Sequence, residues 1–281
     1  MVKVLQHQDV LHILPDRKQD SHKGDYGRVL LLCGSVGYTG AAALAAMGAL
    51  RSGAGLVYCG VPESIYAIEA VKLTEAIVFP LPEENGMLSV TAVPLILEKM
   101  KSMDAVLIGP GLGRSEGTMA AVCATLEHFD GPVVVDADGI NQLSEHMDIL
   151  RGRKGVTVLT PHSGEFRRMG GDDGENRLAA AESFAREYGC ILCLKGHETV
   201  ITDGKESYLN PTGNPGMAVG GSGDVLAGMV VSFLGQKMDP LEAAACAVYL
   251  HGKAGDVCAE KLGQYGMLPT DMLLELPRLM K

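Results

Sequence analysis

The chain has 281 residues, 47% of them hydrophobic and 21% charged, with 36 glycines and no tryptophan, the balance of a globular protein with an aliphatic core. A formal net charge of −10 and an isoelectric point near 5.3 argue against broad binding to nucleic acid or to an anionic membrane surface. A small phosphate ligand, which needs only a local field, stays open.

In chain order, residues 1–25 are polar but carry enough apolar positions (Val10, Leu11, Ile13, Leu14) to dock as a short helix. A strand is predicted over Val29–Cys33, then an Ala-rich helix over 40–51 and a strand over Leu56–Gly60. Further on come a strand over Ala105–Ile108, a helix over 117–129, and strands over Val133–Asp136 and Val156–Leu159. A helix over 175–188 precedes strands at Ile191–Leu194, Thr199–Thr202 and Ser207–Leu209, the last two forming a hairpin around Gly204. A helix over 240–262 is signalled by Asp239 as N-cap, Pro240, Glu242 and a closing Gly263.

Several of these strands are continuously apolar, as in a sheet covered on both faces, and the strand–helix alternation predicts a mostly parallel α/β sheet with an antiparallel edge. No linker or repeat divides the chain, so a single domain over 1–281 is expected. The seven cysteines lie mostly in apolar runs. Cys190 and Cys193 stand three apart in a strand and point to opposite faces, which reads as buried free thiols in a reducing compartment rather than a redox or zinc pair. No run approaches the ~20 apolar residues that cross a bilayer and no signal-peptide core is present, so a cytoplasmic protein without membrane contact is expected.

Ligands of open α/β sheets gather at the carboxyl ends of the strands. Here those ends carry Gly34–Gly40, Gly109–Gly113, Asp136–Asn141, Thr160–Glu165 and Lys195–Thr199. Gly109–Gly113 reads G-P-G-L-G and is not a dinucleotide fingerprint. His162 sits in a turn shaped by Pro161 and Gly164, either as a structural residue or as a ligand contact. Of Asp136 and Asp138, alternating at a strand end, one is expected to face the cleft, enough for a Mg²⁺ held mainly through water and phosphate oxygens. Metal ligands stay unassigned. Lys195 is either a solvated turn residue or a cation for a nucleotide. A P-loop, the protein-kinase motifs and a G-x-S-x-G elbow are all missing from the sequence.

The most informative segment is Gly220-Gly221-Ser222-Gly223-Asp224, running into an apolar stretch over 225–234. Glycines let backbone amides converge, and a helix starting at or near Asp224 would add free N–H groups and the positive end of its dipole. A carboxylate is out of place in a plain anion site. It makes sense if Asp224 faces a substrate hydroxyl while the amides hold the phosphoryl group transferred to it. The plainer reading is an aspartate cap after a flexible loop.

These segments, in this order, resemble the ribokinase-like superfamily and, within it, the ADP- or ATP-dependent NAD(P)H-hydrate dehydratases. The match runs from Lys23-Gly24-Asp25-Tyr26-Gly27 through Leu159–Phe166 and Asn210–Ala218 to Gly220–Leu226. The resemblance implies a three-layer αβα sandwich around a mostly parallel sheet with an antiparallel edge. It also implies nucleotide-dependent repair of the S form of hydrated NADH or NADPH, with ADP or ATP as co-substrate and Mg²⁺. By this likeness Asp224 is the base, and Gly221 and Gly223 form the anion hole. Lys195, Gly196, His197, Glu198, Thr199 and Asn214 line the nucleotide pocket, and Ala41, Gly111 and His162 contact the hydrate. Assembly as a homo-oligomer, a homotetramer, is implied as well. Relatives with two activities carry an NAD(P)H-hydrate epimerase ahead of this region. About 25 residues precede the first motif here, so the epimerase is expected on a separate chain.

Two rivals stay open: a small-alcohol kinase of hydroxyethylthiazole or pyridoxal type, and a non-catalytic nucleotide-binding protein. The first would release a stable phosphate ester. An aspartate beside a phosphate site speaks against the second.

Overall fold

The computed structural model describes residues 2–281. Its strands are β1 (Val2–Lys3), β2 (Arg28–Leu32), β3 (Leu56–Pro62), β4 (Ile77–Leu81), β5 (Glu83–Glu84), β6 (Met87–Leu88), β7 (Ala105–Ile108), β8 (Val133–Val135), β9 (Thr157–Leu159), β10 (Ile191–Leu194), β11 (Val200–Thr202) and β12 (Ser207–Leu209). The first half carries helices α1 (His7–Ile13), α2 (Thr39–Arg51), α3 (Glu63–Lys72), α4 (Val93–Met100), α5 (Glu116–His128) and α6 (Asp138–Leu143). The second carries α7 (Asp148–Gly152), α8 (Ser163–Arg168), α9 (Arg177–Tyr188), α10 (Ser222–Gly235), α11 (Pro240–Leu262) and α12 (Pro269–Leu279).

Ten strands form one sheet in the order β1-β12-β11-β10-β9-β8-β7-β2-β3-β4, and β5 and β6 form a separate two-stranded ribbon. The large sheet is parallel except that β11 runs antiparallel to both β10 and β12. Side chains alternate between two cores, as the period of two in a strand demands. Val29 and Leu31 pack with α2, α10, α11 and α12 on one face, and Leu30 and Leu32 pack with α4, α5 and α9 on the other. Both faces are covered, which is why the strands read as unbroken apolar runs.

Cys193 belongs to the first core and Cys190 to the second. Both are free, and burial pushes both thiols up to about 12. The predicted α11 is met in full: Asp239 accepts from the amides of Leu241 and Glu242, and Gly263 closes the helix at φ 76°. At the amino terminus α1 docks chiefly through Val10, and β1 adds a strand beside β12 that the sequence did not signal.

Helix α10 starts at Ser222, near Asp224 as expected, because Gly221 at φ 96° turns the chain into it. Two other readings change. Strand β8 ends at Val135, so Asp138 lies in the first turn of α6 and not on the strand. Residues 63–100, left without elements in the sequence reading, form α3, β4, the β5–β6 ribbon and α4.

Candidate active site

Helix α10 is buried from Val225 to Gly235 and packs against α2 at close range. A Cβ on Gly48 would stand 2.5 Å from the Val225 carbonyl oxygen, and one on Gly228 would stand 2.0 Å from that of Ala45. The Ala-rich composition of α2 exists to allow this approach, which fixes the amino end of α10 against the carboxyl edge of the sheet. The amides of Gly223 and Asp224 find no acceptor in the preceding loop, so the first turn offers free N–H groups together with the helix dipole. Gly221 is favoured as glycine by its positive φ, and a Cβ there would also push aside the Leu44 side-chain end at 2.4 Å. Gly223 is not in the left-handed region. Its Cβ position faces Lys195 Nζ at 3.3 Å and Asp136 Oδ2 at 4.0 Å.

Lys195, at the end of β10, is not the solvated turn residue of the plainer reading. Its Nζ lies 2.9 Å from Asp136 Oδ1 at the end of β8. From β9 between them, Thr160 donates its hydroxyl to the same oxygen at 2.8 Å. Asp136 is only 1% exposed. Burial alone would lower the lysine, but the carboxylates of Asp136, Glu165 and Asp224 hold it above its ordinary value and therefore charged. Burial and the neighbouring Asp136 raise the Asp224 carboxyl to about 6, against the opposing pull of Lys195, with a smaller push from Asp138. Asp224 is thus a base poised just below neutrality, with its conjugate acid within easy reach.

Between the two aspartates, Ala137 has φ 50° and ψ −117°, a conformation a non-glycine residue adopts only where its surroundings enforce it. Gly109 supplies part of that enforcement, since a Cβ there would overlap the Asp136 carbonyl oxygen at 1.8 Å. Asp138 turns away to accept the Gly113 amide at 2.9 Å. Of the two, Asp136 is the one that faces Lys195.

Gly111 (φ 65°) lies over α2, where its Cβ would meet Ala41 Cβ at 2.7 Å and Tyr38 Cβ at 3.0 Å. Two of the three residues expected to contact a hydrate are therefore neighbours. His162 is exposed, and its Nδ1 accepts the amides of Gly164 and Glu165 as the cap of α8. Its Nε2 faces Glu165 Oε1 at 3.5 Å, so a ligand at this ring would share that nitrogen with the carboxylate.

Gly196, His197 and Glu198 form an exposed turn, with Glu198 at φ 55°. The Thr199 hydroxyl is spent within that turn, donating to the Gly196 carbonyl at 3.0 Å. Asn214 holds its own loop, with Oδ1 accepting from Gly216 and Nδ2 donating to Asp256 of α11 at 3.1 Å. The structure thus pairs Ala41 with Gly111 and sets Gly223 and Asp224 beside Lys195, while Asn214 connects to α11. A separate polar hollow of ≈390 Å³, bounded by Asp16, Lys18, Asp20, Asp25, Tyr26 and Gln236, contains none of these residues.

Sequence reasoning missed two supporting residues, Arg177 and His251, and the pairing of a third, Asp136, which it placed only as one of two aspartates at a strand end. Asp136 is the buried partner of Lys195. Arg177 donates to the carbonyls of Leu194 (2.8 Å) and Lys195 (2.6 Å), holding the end of β10. His251 of α11 contacts the Ser222 carbonyl. An arginine at the start of a helix and a histidine inside an apolar one carry no spacing signal. The Asp136–Lys195 pair follows only once β8, β9 and β10 are known to be adjacent. Among the described residues, no group of three or more His, Cys, Asp or Glu side chains is placed to hold a metal ion by itself. No helix among the described residues is long and apolar enough to cross a membrane either.

Comparison with known proteins gives a consistent picture. A bifunctional NAD(P)H-hydrate repair enzyme of Moorella thermoacetica is 46% identical over 275 residues, covering 95% of this chain and 52% of that protein. The chain therefore spans about half the length of such relatives. An ADP-dependent (S)-NAD(P)H-hydrate dehydratase of Cenarchaeum symbiosum is 35% identical over 97% of this chain and 95% of its own. Among solved structures, the ADP/ATP-dependent NAD(P)H-hydrate dehydratase of Bacillus subtilis, co-crystallised with ATP and Mg²⁺, has a TM-score of 0.83 at 34% identity over 99% of this chain and 97% of that one. Hydroxyethylthiazole kinase of Pyrococcus horikoshii, at 17% identity and a TM-score of 0.64, shares the ribokinase-like fold alone. The profile of the NAD(P)H-hydrate dehydratase family matches residues 29–278, and the chain belongs to that family.

Proposed function

We propose that the protein dehydrates the S form of hydrated NADH and NADPH at the expense of an adenine nucleotide, ADP giving AMP and phosphate. The observation that carries this reading is the Asp224 carboxyl, raised to about 6 in the first turn of a helix whose leading amides are free. Asp224 accepts the proton of the hydroxyl on carbon 6 of the reduced ring as that oxygen attacks the terminal phosphorus. The amides of Gly221 and Gly223 and the Lys195 ammonium stabilise the charge spread over the transferring phosphoryl oxygens. The ring nitrogen lone pair then expels phosphate from carbon 6, and loss of a proton from carbon 5 restores the double bond. Phosphorylation matters because hydroxide leaves poorly and phosphate leaves well.

Ala41 and Gly111, joined at the end of β7, and the Nε2–H of His162 serve the hydrate. The turn over 196–199 and the loop of Asn214 serve the nucleotide. Mg²⁺ fits a site of this kind. Asp136 and Asp224 are close enough for one to raise the other, and a divalent ion taking most of its oxygens from phosphate and water needs few protein ligands. It would neutralise charge on the nucleotide. Homo-oligomeric assembly and an epimerase acting on the R form complete the proposal.

The test is incubation of purified protein with hydrated NADH and ADP or ATP, following recovery of reduced-nicotinamide absorbance and release of phosphate. ADP should also raise the unfolding temperature, since it binds the folded state alone. Stoichiometric recovery of NADH supports the reading. A stable phosphate ester formed from a small alcohol, with the hydrate ignored, replaces it by the kinase.

A further inference from the structure

His251 is 29 positions from the glycine loop in sequence and touches it in space. His251 is 7% exposed, with Nε2 2.9 Å from the Ser222 carbonyl oxygen and 3.4 Å from the Ser222 hydroxyl. A carbonyl oxygen only accepts, so Nε2 carries the proton and donates it. The Ser222 carbonyl and the Gly223 N–H belong to one planar trans peptide and point in opposite directions. That oxygen is shared between the first ladder bond of α10 and His251, so the imidazole helps set the direction of the amide. That amide has no acceptor in the loop, and it belongs to the residue that faces Lys195 and Asp136.

The same stretch of α11 holds the other loop of the site. The Tyr249 carbonyl accepts the Thr212 hydroxyl at 2.8 Å, and Asp256 accepts the Gly213 amide and the Asn214 side chain at 3.1 Å each. Burial, with Lys195 nearby, keeps the imidazole neutral, lowered to about 4. The ring therefore brings no second cation to the amino end of α10.

We propose that His251 is a positioning residue whose Nε2–H, by holding the Ser222 carbonyl, aims the Gly223 amide at the phosphoryl group. This rests on the nucleotide-binding role given to the loop. The test compares wild type, His251→Leu and His251→Gln as full chains. Four quantities are read: the Gly223 amide ¹H–¹⁵N resonance without nucleotide, the Kd for ADP, kcat, and the unfolding temperature. The leucine variant should shift the Gly223 resonance, weaken ADP about tenfold, the worth of one positioning hydrogen bond, and lower kcat by about 10–100-fold. Glutamine, which keeps an N–H donor, should restore both constants to within about threefold of wild type.

A folded leucine variant with the wild-type resonance and Kd overturns the proposal, and so does a glutamine variant as impaired as leucine. If leucine does not fold, the wild-type ring nitrogens decide: the Nε2–H tautomer at neutral pH supports the assignment and the Nδ1–H tautomer refutes it. Failure of the wild type to act on the hydrate would remove the functional reading but leave the resonance and tautomer tests standing.

Discussion

Replacing Asp224 by asparagine separates what this residue does for catalysis from what it costs the fold. In the native protein its carboxyl titrates at about 6 against an ordinary 3.8, burial being the largest cause and Asp136 the next. Between those two values the native state binds more protons than the unfolded state, so stability falls as pH rises through the window. Above about pH 6 the whole penalty is in place. At ~1.4 kcal/mol per unit, two units correspond to about 3 kcal/mol. Asparagine escapes the penalty but gives up ~0.5 kcal/mol of attraction between a carboxylate and the helix dipole.

The Asp224→Asn variant should therefore be more stable than wild type by about 2 kcal/mol at pH 8, roughly 4–6 °C in Tm for a chain of this size. The difference should vanish well below pH 3.8, where the carboxyl is neutral in the folded and unfolded states alike. Turnover of hydrated NADH should fall by about 10²–10⁴-fold, the range for a positioned acid–base group. In the wild type, kcat/KM should decline as pH drops through about 6 because the base becomes protonated. Thermal melts at several pH values, with absorbance assays alongside, test all of this. A Tm difference that does not change with pH, or turnover within a few-fold of wild type, would refute the assignment.

Three further substitutions probe the surroundings. Lys195→Met strands Asp136 in a site only 1% exposed and should destabilise by about 3–5 kcal/mol, as removing one partner of a buried pair does; denaturant titration measures it, and Lys195→Arg should recover part of the loss. Gly223→Val places a branched side chain 3.3 Å from Lys195 Nζ with no positive φ to strain, so it should abolish turnover while shifting Tm by only a few degrees; turnover near wild type would show that its amide is not aimed at substrate. His162→Ala should cost about 1 kcal/mol through loss of the α8 cap and raise KM for the hydrate more than for ADP, whereas His162→Asn should keep the cap and the stability but not the KM; a KM change confined to ADP would reverse the pocket assignment.

What the sequence makes legible depends on where burial is uniform. Strands β2, β7 and β10 are covered on both faces and read directly as apolar runs, and α11 announces itself through Asp239, Pro240 and Gly263. The stretch 63–100 is silent for the opposite reason. On α3 the buried positions are Ile65 and Glu69, while Ile68 and Val71 are exposed, so the amphipathic pattern contradicts the packing. Strand β4 holds Pro80 at an edge and is buried only at Leu81. The start of α10, expected at or near Asp224, falls at Ser222, where packing against α2 overrides the poor helix propensity of Ser-Gly. The Asp136–Lys195 pair spans 59 positions, and only the order β8-β9-β10 makes it local.

The charges around α10 lead to one more expectation. Lys195 is paired with Asp136, so beyond direct contact with a phosphoryl oxygen the two sum to no charge, and Asp224 remains as an anion at neutral pH. The free amides of the first turn supply a partial positive charge of about +0.5, too little to hold a nucleotide diphosphate against that carboxylate. On the proposed function the nucleotide is therefore expected to enter together with a cation, in keeping with the crowding of negative charge that raises the Asp224 carboxyl. Calorimetric titration with ADP should give a Kd at least about tenfold weaker in EDTA than in Mg²⁺. In Asp224→Asn, where the repelling carboxylate is gone, the dependence should shrink to a few-fold. Equal affinities with and without Mg²⁺ in the wild type would mean that the amides and Lys195 suffice, and that Asp224 is held away from the phosphates rather than beside them.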